Sequence, residues 1–203
     1  MTVRLPPSER DHLTSLTVAI SERPTFFDDS FDTKDYEPTA EATVGELRLR
    51  FFPGLHYVPA WGVEVTAPDG GRLVYVGDTG PNAAAVEAAR GADLFVCEAT
   101  LESVAEDDPA RRGHLTTDEA LEMASAAAAA RVLLVHYPSA RRDAIARRCA
   151  QTGGLAVVAI PDLSLDVCRP GSDDRAADPT AGGIAGAEPR AGFGLGPDLA
   201  LEA

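Results

Sequence analysis

The sequence of 203 residues has little positive charge, few cysteines and no long apolar run. Lysine and arginine number 18 against 32 acidic residues, which leaves a formal net charge of -14. This balance argues against a general binder of nucleic acid or anionic membranes, because such proteins neutralise phosphates with cationic side chains. A small phosphorylated substrate is not excluded. No run of about 18 apolar residues and no signal peptide occurs, so we expect a cytoplasmic protein without a membrane span.

The absence of several sequence motifs argues against further classes of site and enzyme. The three cysteines, Cys97, Cys149 and Cys168, are too few and too scattered for a disulfide framework or a C-x-x-C zinc site. A serine hydrolase is disfavoured because there is no G-x-S-x-G, and Cys97 lies inside an apolar run where a nucleophilic thiolate is not expected. A Rossmann-type nucleotide binder is disfavoured because no G-x-G-x-x-G follows a strand.

From about residue 45 onward the apolar pattern predicts an α/β fold. Strands are predicted at "GELRLRFFP", "WGVEVTA" and "RLVYVG", and then at "LFVCEAT", "RVLLVHY" and "LAVVAI". Helices are predicted between the later strands, an arrangement in which helices cover a sheet. One of them is "TTDEALEMASAAAAA", with Thr116 or Thr117 predicted as its N-cap. The preceding stretch "RPTFFDDSFDTKDYEP" is predicted to be an extended loop with aromatic anchors at Phe26, Phe27 and Phe31.

The composition divides the chain into one domain and a tail. Residues 1–168 are predicted to form a single domain, since this length can bury a substantial core. Residues 169–203 are rich in glycine, alanine and proline, with little apolar periodicity. We expect this second segment to be disordered.

Five polar side chains stand at or near the carboxyl ends of apolar runs or at a loop-to-helix junction. They are His56, Asp78, Glu98, His114 and His136. In α/β proteins ligands collect at the carboxyl ends of strands, so these groups could converge. Imidazole and carboxylate are good zinc ligands. Each residue alone has a simpler explanation, because a histidine after a strand is more often structural and Asp78 in "GDTG" could be a turn residue.

Five motifs taken together favour a functional site over these simpler explanations. In order along the chain, "HYVPAWGVEV", "LVYVGDTG", "CEAT", "GHLTTDEALEMA" and "LLVHYPS" resemble the later motifs of the metallo-β-lactamase fold, closest to its ribonuclease Z-like and phosphodiesterase branch. The resemblance runs from about Leu47 to Val167. It implies an αββα sandwich and a hydrolase in which a zinc-activated water attacks a phosphodiester, either a small cyclic nucleotide or an RNA 3′ end.

The resemblance also implies roles for individual residues. His56 matches a ligand of the first metal, Asp78 the aspartate that bridges two metals, and His136 a ligand of the second. Glu98 and His114 match a pair in which the histidine handles a proton at the scissile phosphate and the glutamate orients it, so Asp78, Glu98 and His114 form the predicted catalytic group. Two zinc ions are expected, together with a phosphodiester substrate and a homodimer as in many relatives. Neither DNA nor a membrane is expected as a partner.

One departure from the family is large. The motif H-x-H-x-D-H, which supplies four metal ligands in the family, occurs nowhere in the sequence. Three ligands divided between two ions predict weak metal binding. Our expectation is that the reading frame is an N-terminally truncated form of a longer hydrolase. The alternative is a catalytically inactive homologue that serves as a binding or interaction module.

Overall fold

A mixed β-sheet with helices packed on it dominates the computed structural model, which describes residues 1–7, 9–38 and 40–167. The tail predicted from residue 169 and Cys168 lie outside the described residues. Within those ranges the strands are β1 (Thr2–Leu5), β2 (Asp32–Asp35), β3 (Ala42–Val44), β4 (Leu47–Pro53), β5 (Trp61–Thr66), β6 (Arg72–Tyr75), β7 (Leu94–Glu98), β8 (Val132–Val135) and β9 (Ala156–Val158). The α-helices are α1 (Glu9–Ser21), α2 (Phe26–Ser30), α3 (Ala83–Ala88), α4 (Thr117–Ala126) and α5 (Arg142–Ala150).

The larger sheet follows the order of the chain. Strands β3 to β9 pair in sequence, so that each strand contacts its successor. The pairs from β3 to β6 are antiparallel, and those from β6 to β9 are parallel. This change of direction follows from the connections: short loops join the antiparallel strands, whereas α3, α4 and α5 lie between the parallel ones. We call β6–β9 with α3, α4 and α5 the parallel half; the α/β prediction is confirmed.

The hydrophobic core lies between the sheet and these three helices. Alternate residues of the central strands, Phe95 and Cys97 on β7 and Val132 and Leu134 on β8, point into it, and each is fully buried. The helices contribute mainly alanines together with Leu121, Met123 and Ile145. Small helix side chains allow the helices to approach the sheet closely. Most of the buried apolar residues in the described part of the chain lie in the parallel half.

Capping residues fix where the helices of the parallel half begin. The side chain of Asn82 accepts a hydrogen bond from the backbone of Ala84 at the start of α3. At the start of α4, Thr116 and Glu119 form a reciprocal capping box, which confirms the prediction that a threonine caps this helix. The capping residue Thr116 lies two residues after His114 and fixes the start of α4.

The four N-terminal elements β1, α1, α2 and β2 are called here the N-terminal segment, and one stretch of it differs from the prediction. The stretch expected to be an extended loop contains α2 and the strand β2, which pairs in parallel with β1. None of the three predicted aromatic anchors is buried. The buried aromatic residue is instead Tyr36, whose ring stacks on Phe51 of β4 with centroids 3.8 Å apart. The polar sequence of β2 gave no apolar periodicity from which a strand could be predicted.

Two remaining expectations concern cysteines and membranes. Cys97 and Cys149 are buried free thiols, and burial raises the pKa of both, strongly for Cys97. A buried thiol held in its neutral form is a poor nucleophile, which agrees with the exclusion of a cysteine hydrolase. Of the helices in the described ranges, none combines the length and apolarity that a membrane span requires.

Candidate active site

The five side chains singled out from the sequence meet at one edge of the sheet. Glu98 is the last residue of β7, His136 directly follows β8, and Asp78 lies three residues after β6. The parallel strands thus deliver three of the five groups, as expected for carboxyl ends of neighbouring strands. His56 comes from the loop between β4 and β5, and His114 from the segment before α4.

Three contacts join these side chains. The Nδ1 atom of His136 lies 3.0 Å from Oδ1 of Asp78. The Nε2 atoms of His56 and His114 lie 3.4 Å apart, and Nδ1 of His114 lies 2.9 Å from Oε1 of Glu98. His114 is therefore the central residue of the cluster, with a carboxylate on one ring nitrogen and a second imidazole at the other.

The donor atoms suit a divalent metal ion such as zinc. Among the described residues two groups of three donors lie within 4.8 Å of one another: His56, Asp78 and His114, and Glu98, His114 and His136. Two ligands of one tetrahedral zinc, each about 2.05 Å from the ion, lie ~3.3 Å apart. The 3.4 Å between the two Nε2 atoms matches that separation. The first group also has the two-imidazole, one-carboxylate composition of a catalytic zinc site.

Glu98 is a buried carboxylate whose hydrogen-bonding capacity is filled. Its side chain is 1% exposed. The backbone N–H of Thr79 donates to Oε1, at 2.7 Å, and those of Thr100 and Leu115 donate to Oε2, both at 3.3 Å. Three backbone donors and the ring of His114 offset the cost of burying the charge. Glu98 is thereby held in place against the ring of His114, and its oxygens are less free to bind a metal than those of Asp78.

The backbone at His136 adopts an unusual conformation. Its φ angle is +46°, in the left-handed region that residues with a side chain seldom occupy. The hydroxyl of Thr100 donates to the carbonyl oxygen of His136 at 2.9 Å and lies 3.1 Å from its Nδ1. Thr100 therefore contacts both the backbone and the ring of His136. Such conformations concentrate at functional sites, where the surroundings hold them in place.

A second support joins the loops that carry His56 and His114. The hydroxyl of Tyr57 donates to Oδ1 of Asp107. The other oxygen of Asp107 accepts from the backbone N–H groups of Gly113, at 2.8 Å, and His114, at 3.2 Å. The Tyr57 ring packs directly on Gly113, where an added Cβ would lie 2.6 Å from the ring. We call the pair Tyr57 and Asp107 the loop clasp.

The loop clasp also changes the acidity of Asp107. Burial by itself would raise the pKa of this carboxyl. The backbone N–H groups that donate to it, with the nearby guanidinium of Arg112, outweigh burial and hold the pKa below its ordinary value of 3.8. Asp107 is consequently an anion that stabilises the loop before His114.

The sequence did not reveal Tyr57, Thr79, Thr100 or Asp107 as parts of the site. Thr79 and Thr100 belong to the motifs "GDTG" and "CEAT", so their positions beside predicted ligands were the available signal. Asp107 gave no signal, because its partner Tyr57 is 50 positions away. The remaining histidine, His12, has a side chain 70% exposed and belongs to neither donor group.

Comparison with known proteins places these observations in a family. Residues 3–137 match the model of the beta-lactamase superfamily domain. The uncharacterised protein ML1173 of Mycobacterium leprae is 32% identical over 144 residues, which cover 70% of this chain and 50% of that protein. The mitochondrial tRNAse Z TRZ4 of Arabidopsis thaliana is 31% identical over 137 residues, covering 61% of this chain and 14% of that protein. The chain thus spans about half the length of the first of these relatives.

A solved structure supports the same fold. The metallo-beta-lactamase fold protein YhfI from Bacillus subtilis superposes with a TM-score of 0.61 at 21% identity. The match covers 78% of this chain and 62% of YhfI. At this identity the likeness bears on the fold alone.

Proposed function

Because this chain belongs to the beta-lactamase superfamily, we propose that it is a metal-dependent hydrolase of phosphodiester bonds. The observation that carries the proposal is the arrangement around His114, whose ring contacts the buried Glu98 and whose donor atom lies within 4.8 Å of those of His56 and Asp78. A metal-ligating group beside an imidazole oriented by a carboxylate is suited to hydrolysis, in which water must be activated and a leaving oxygen protonated.

His56, Asp78 and His136 would hold the metal in this proposal. The donor atoms of His56 and Asp78 lie within 4.8 Å of each other, and Nδ1 of His136 lies 3.0 Å from Oδ1 of Asp78, so Asp78 is near both imidazoles. This arrangement supports the role of Asp78 as a shared ligand of two ions. When bound, a divalent ion would supply Lewis acidity toward a phosphoryl oxygen and make a coordinated water more acidic.

His114 would handle a proton. Glu98 accepts hydrogen bonds from backbone N–H groups, so its contact with Nδ1 of His114 requires that Nδ1 carry a hydrogen. The other nitrogen, Nε2, then faces the cluster. With a proton, Nε2 donates to the leaving oxygen; without one, its lone pair could bind a metal. One atom cannot do both at the same time, and we assign it the proton-donating role.

The substrate class follows from charge and from similarity. Similarity to a tRNAse Z supports a phosphodiester. The net charge of -14 disfavours a long polyanion, because each bound phosphate calls for a cationic partner. A small cyclic nucleotide is therefore preferred over an RNA 3′ end.

Metal-dependent turnover tests the proposal. The chain is loaded with zinc, its metal content is measured, and hydrolysis of 3′,5′-cyclic AMP and of a short single-stranded RNA is followed before and after chelation. We expect hydrolysis of the cyclic nucleotide that chelation abolishes and zinc restores. If the zinc-loaded chain cleaves neither substrate, the hydrolase proposal is wrong and the inactive binding module becomes the better account.

A further inference from the structure

A cavity of about 410 Å³ opens beside His56, outside the cluster described above. This volume lies within the range of small-molecule sites, which is roughly 300–1,000 Å³. The lining consists of an apolar set and a basic set: Leu55, Tyr57, Pro81, Pro109 and Ala110, and His56, Arg111 and Arg112. Because His56 belongs to both the cavity and the candidate metal group, a ligand bound at the metal group would have the cavity as its immediate neighbour.

The two walls of the cavity are held in fixed relation. One wall is the loop that carries Leu55 to Tyr57, and the other is the loop from Pro109 to Arg112. The loop clasp joins them, and Nη2 of Arg111 donates to the backbone oxygen of Tyr57 at 3.4 Å. The site is therefore largely formed before a ligand arrives, which lowers the entropic cost of binding.

The two arginines of the cavity are not equivalent. Arg112 is neutralised by Glu119, with Nη2 and Oε2 at 2.8 Å, and lies 3.5 Å from Asp107. Arg111 is exposed, and no carboxylate pairs with it in the part of the chain that the structure describes. In a chain of net charge -14, this leaves one uncompensated guanidinium at the mouth of a mostly apolar cavity.

This combination selects a particular ligand chemistry. A phosphate group alone is smaller than the cavity and gains nothing from prolines, leucine and tyrosine. A flat heteroaromatic ring satisfies both features, because its faces pack on apolar side chains and stack on a guanidinium plane.

We propose that this cavity binds the nucleobase, or a similar flat heteroaromatic group, of a phosphodiester whose phosphate lies at His56, and that Arg111 is a specificity-determining residue. The placement of the phosphate rests on the proposed function. The cavity, and an Arg111 guanidinium without a carboxylate partner among the described residues, are observations of this structure.

Binding of two probes that differ only in the base tests the proposal. Affinities of adenosine 5′-monophosphate and ribose 5-phosphate are measured by titration calorimetry on the zinc-loaded chain. We expect the nucleotide to bind roughly tenfold more tightly, since stacking of one base is worth a factor of about five to 150. Arg111→Ala should remove most of this ratio by weakening the nucleotide and leaving ribose 5-phosphate nearly unchanged.

Arg147→Ala is the matched control, because Arg147 is an exposed arginine of α5 outside the cavity and its loss changes the net charge equally. Equal affinities for the two probes in the wild type, no measurable binding of either, or equal losses in the two arginine variants would each overturn the proposal. The result of this binding test can be distinguished from the result of the hydrolysis test. A base preference without turnover leaves the subsite standing, whereas turnover with a ratio unaffected by Arg111→Ala removes the subsite alone.

Discussion

The parallel half and the N-terminal segment are built on different principles. In the parallel half every residue of β7 is buried, and the central strands and helices share one core. In the N-terminal segment the 13 residues of α1 include a single buried one, Thr17, and the ion pairs of Arg10 with Asp28 and Asp35 are solvent-exposed. The site side chains Asp78, Glu98, His114 and His136 all come from the parallel half. Burial is thus greatest in the half of the sheet that carries most of the candidate site, and matched substitutions in the two regions can test this division.

The largest difference, in activity and in zinc content, is expected between the variants Asp78→Ala and Asp11→Ala. Removing Asp78 deletes the carboxylate that lies near both His56 and His136, so activity should fall by roughly a thousandfold or more, the equivalent of several kcal/mol of lost metal assistance. Zinc content, measured by elemental analysis, should fall too. Asp11 is exposed on α1, and its loss should leave both quantities unchanged. An Asp78→Ala protein with full activity would refute the metal assignment.

The next effect concerns packing. Leu134 is fully buried in the core of the parallel half, whereas Leu16 on α1 is 55% exposed. Leu134→Ala should lower the free energy of unfolding by about 2–5 kcal/mol through lost burial and an unfilled cavity. Leu16→Ala should change it by less than about 0.5 kcal/mol, as most exposed substitutions do. Urea denaturation measures both, and similar losses would show that α1 is packed more tightly than its exposure indicates.

His114→Ala separates two roles for the central imidazole. If Nε2 donates a proton, turnover should fall by about a hundredfold, a typical contribution of general acid catalysis, and zinc content should stay at the wild-type value. His12→Ala, which removes an exposed histidine of α1, should change neither. Loss of zinc from His114→Ala would show that His114 is a ligand, as its presence in both donor groups allows.

The smallest effect is expected on the free energy of unfolding, when the loop clasp is changed, and this effect should depend on pH. Asp107→Asn places an amide against backbone N–H donors, so the free energy of unfolding at neutral pH should fall by about 1–3 kcal/mol. Because the folded-state pKa of Asp107 is lowered, the wild-type advantage is complete well above pH 3.8, the ordinary value, and shrinks as pH falls below it. Thermal denaturation across the acid range measures this.

Asp32→Asn is the control in the N-terminal segment. The pKa of Asp32 is also lowered, chiefly by its hydrogen bond with Lys34, but that pair is exposed to solvent. Its contribution should be small and should vanish with added salt. If the two aspartate variants respond alike to pH and salt, the loop clasp is only another surface contact.

Prediction from sequence succeeded where a local pattern decides the structure. The strands that end in Glu98 or shortly before Asp78 and His136 could be recognised from apolar runs, and the convergence of these three residues follows from parallel pairing. The threonine cap of α4 was visible for the same reason, since a capping box spans only four residues.

Prediction from sequence failed where contacts between polar residues that are distant in the sequence determine the structure. Strand β2 carries the sequence "DTKD" and pairs with β1 thirty positions earlier, so no periodicity marks it. The loop clasp joins residues 50 positions apart. His114 can act as a proton donor or as a metal ligand. The choice depends on the tautomer of its ring and on bound metal, and neither can be predicted from the identity of the residue.

The buried carboxylate of Glu98 makes the site observable without substrate. The amide hydrogens of Thr79, Thr100 and Leu115 belong to loop segments, where exchange with solvent deuterium is normally fast. All three donate to this one side chain. They should therefore be protected from exchange and should lose protection together, so that three amides report the integrity of the site even in a sample that shows no activity.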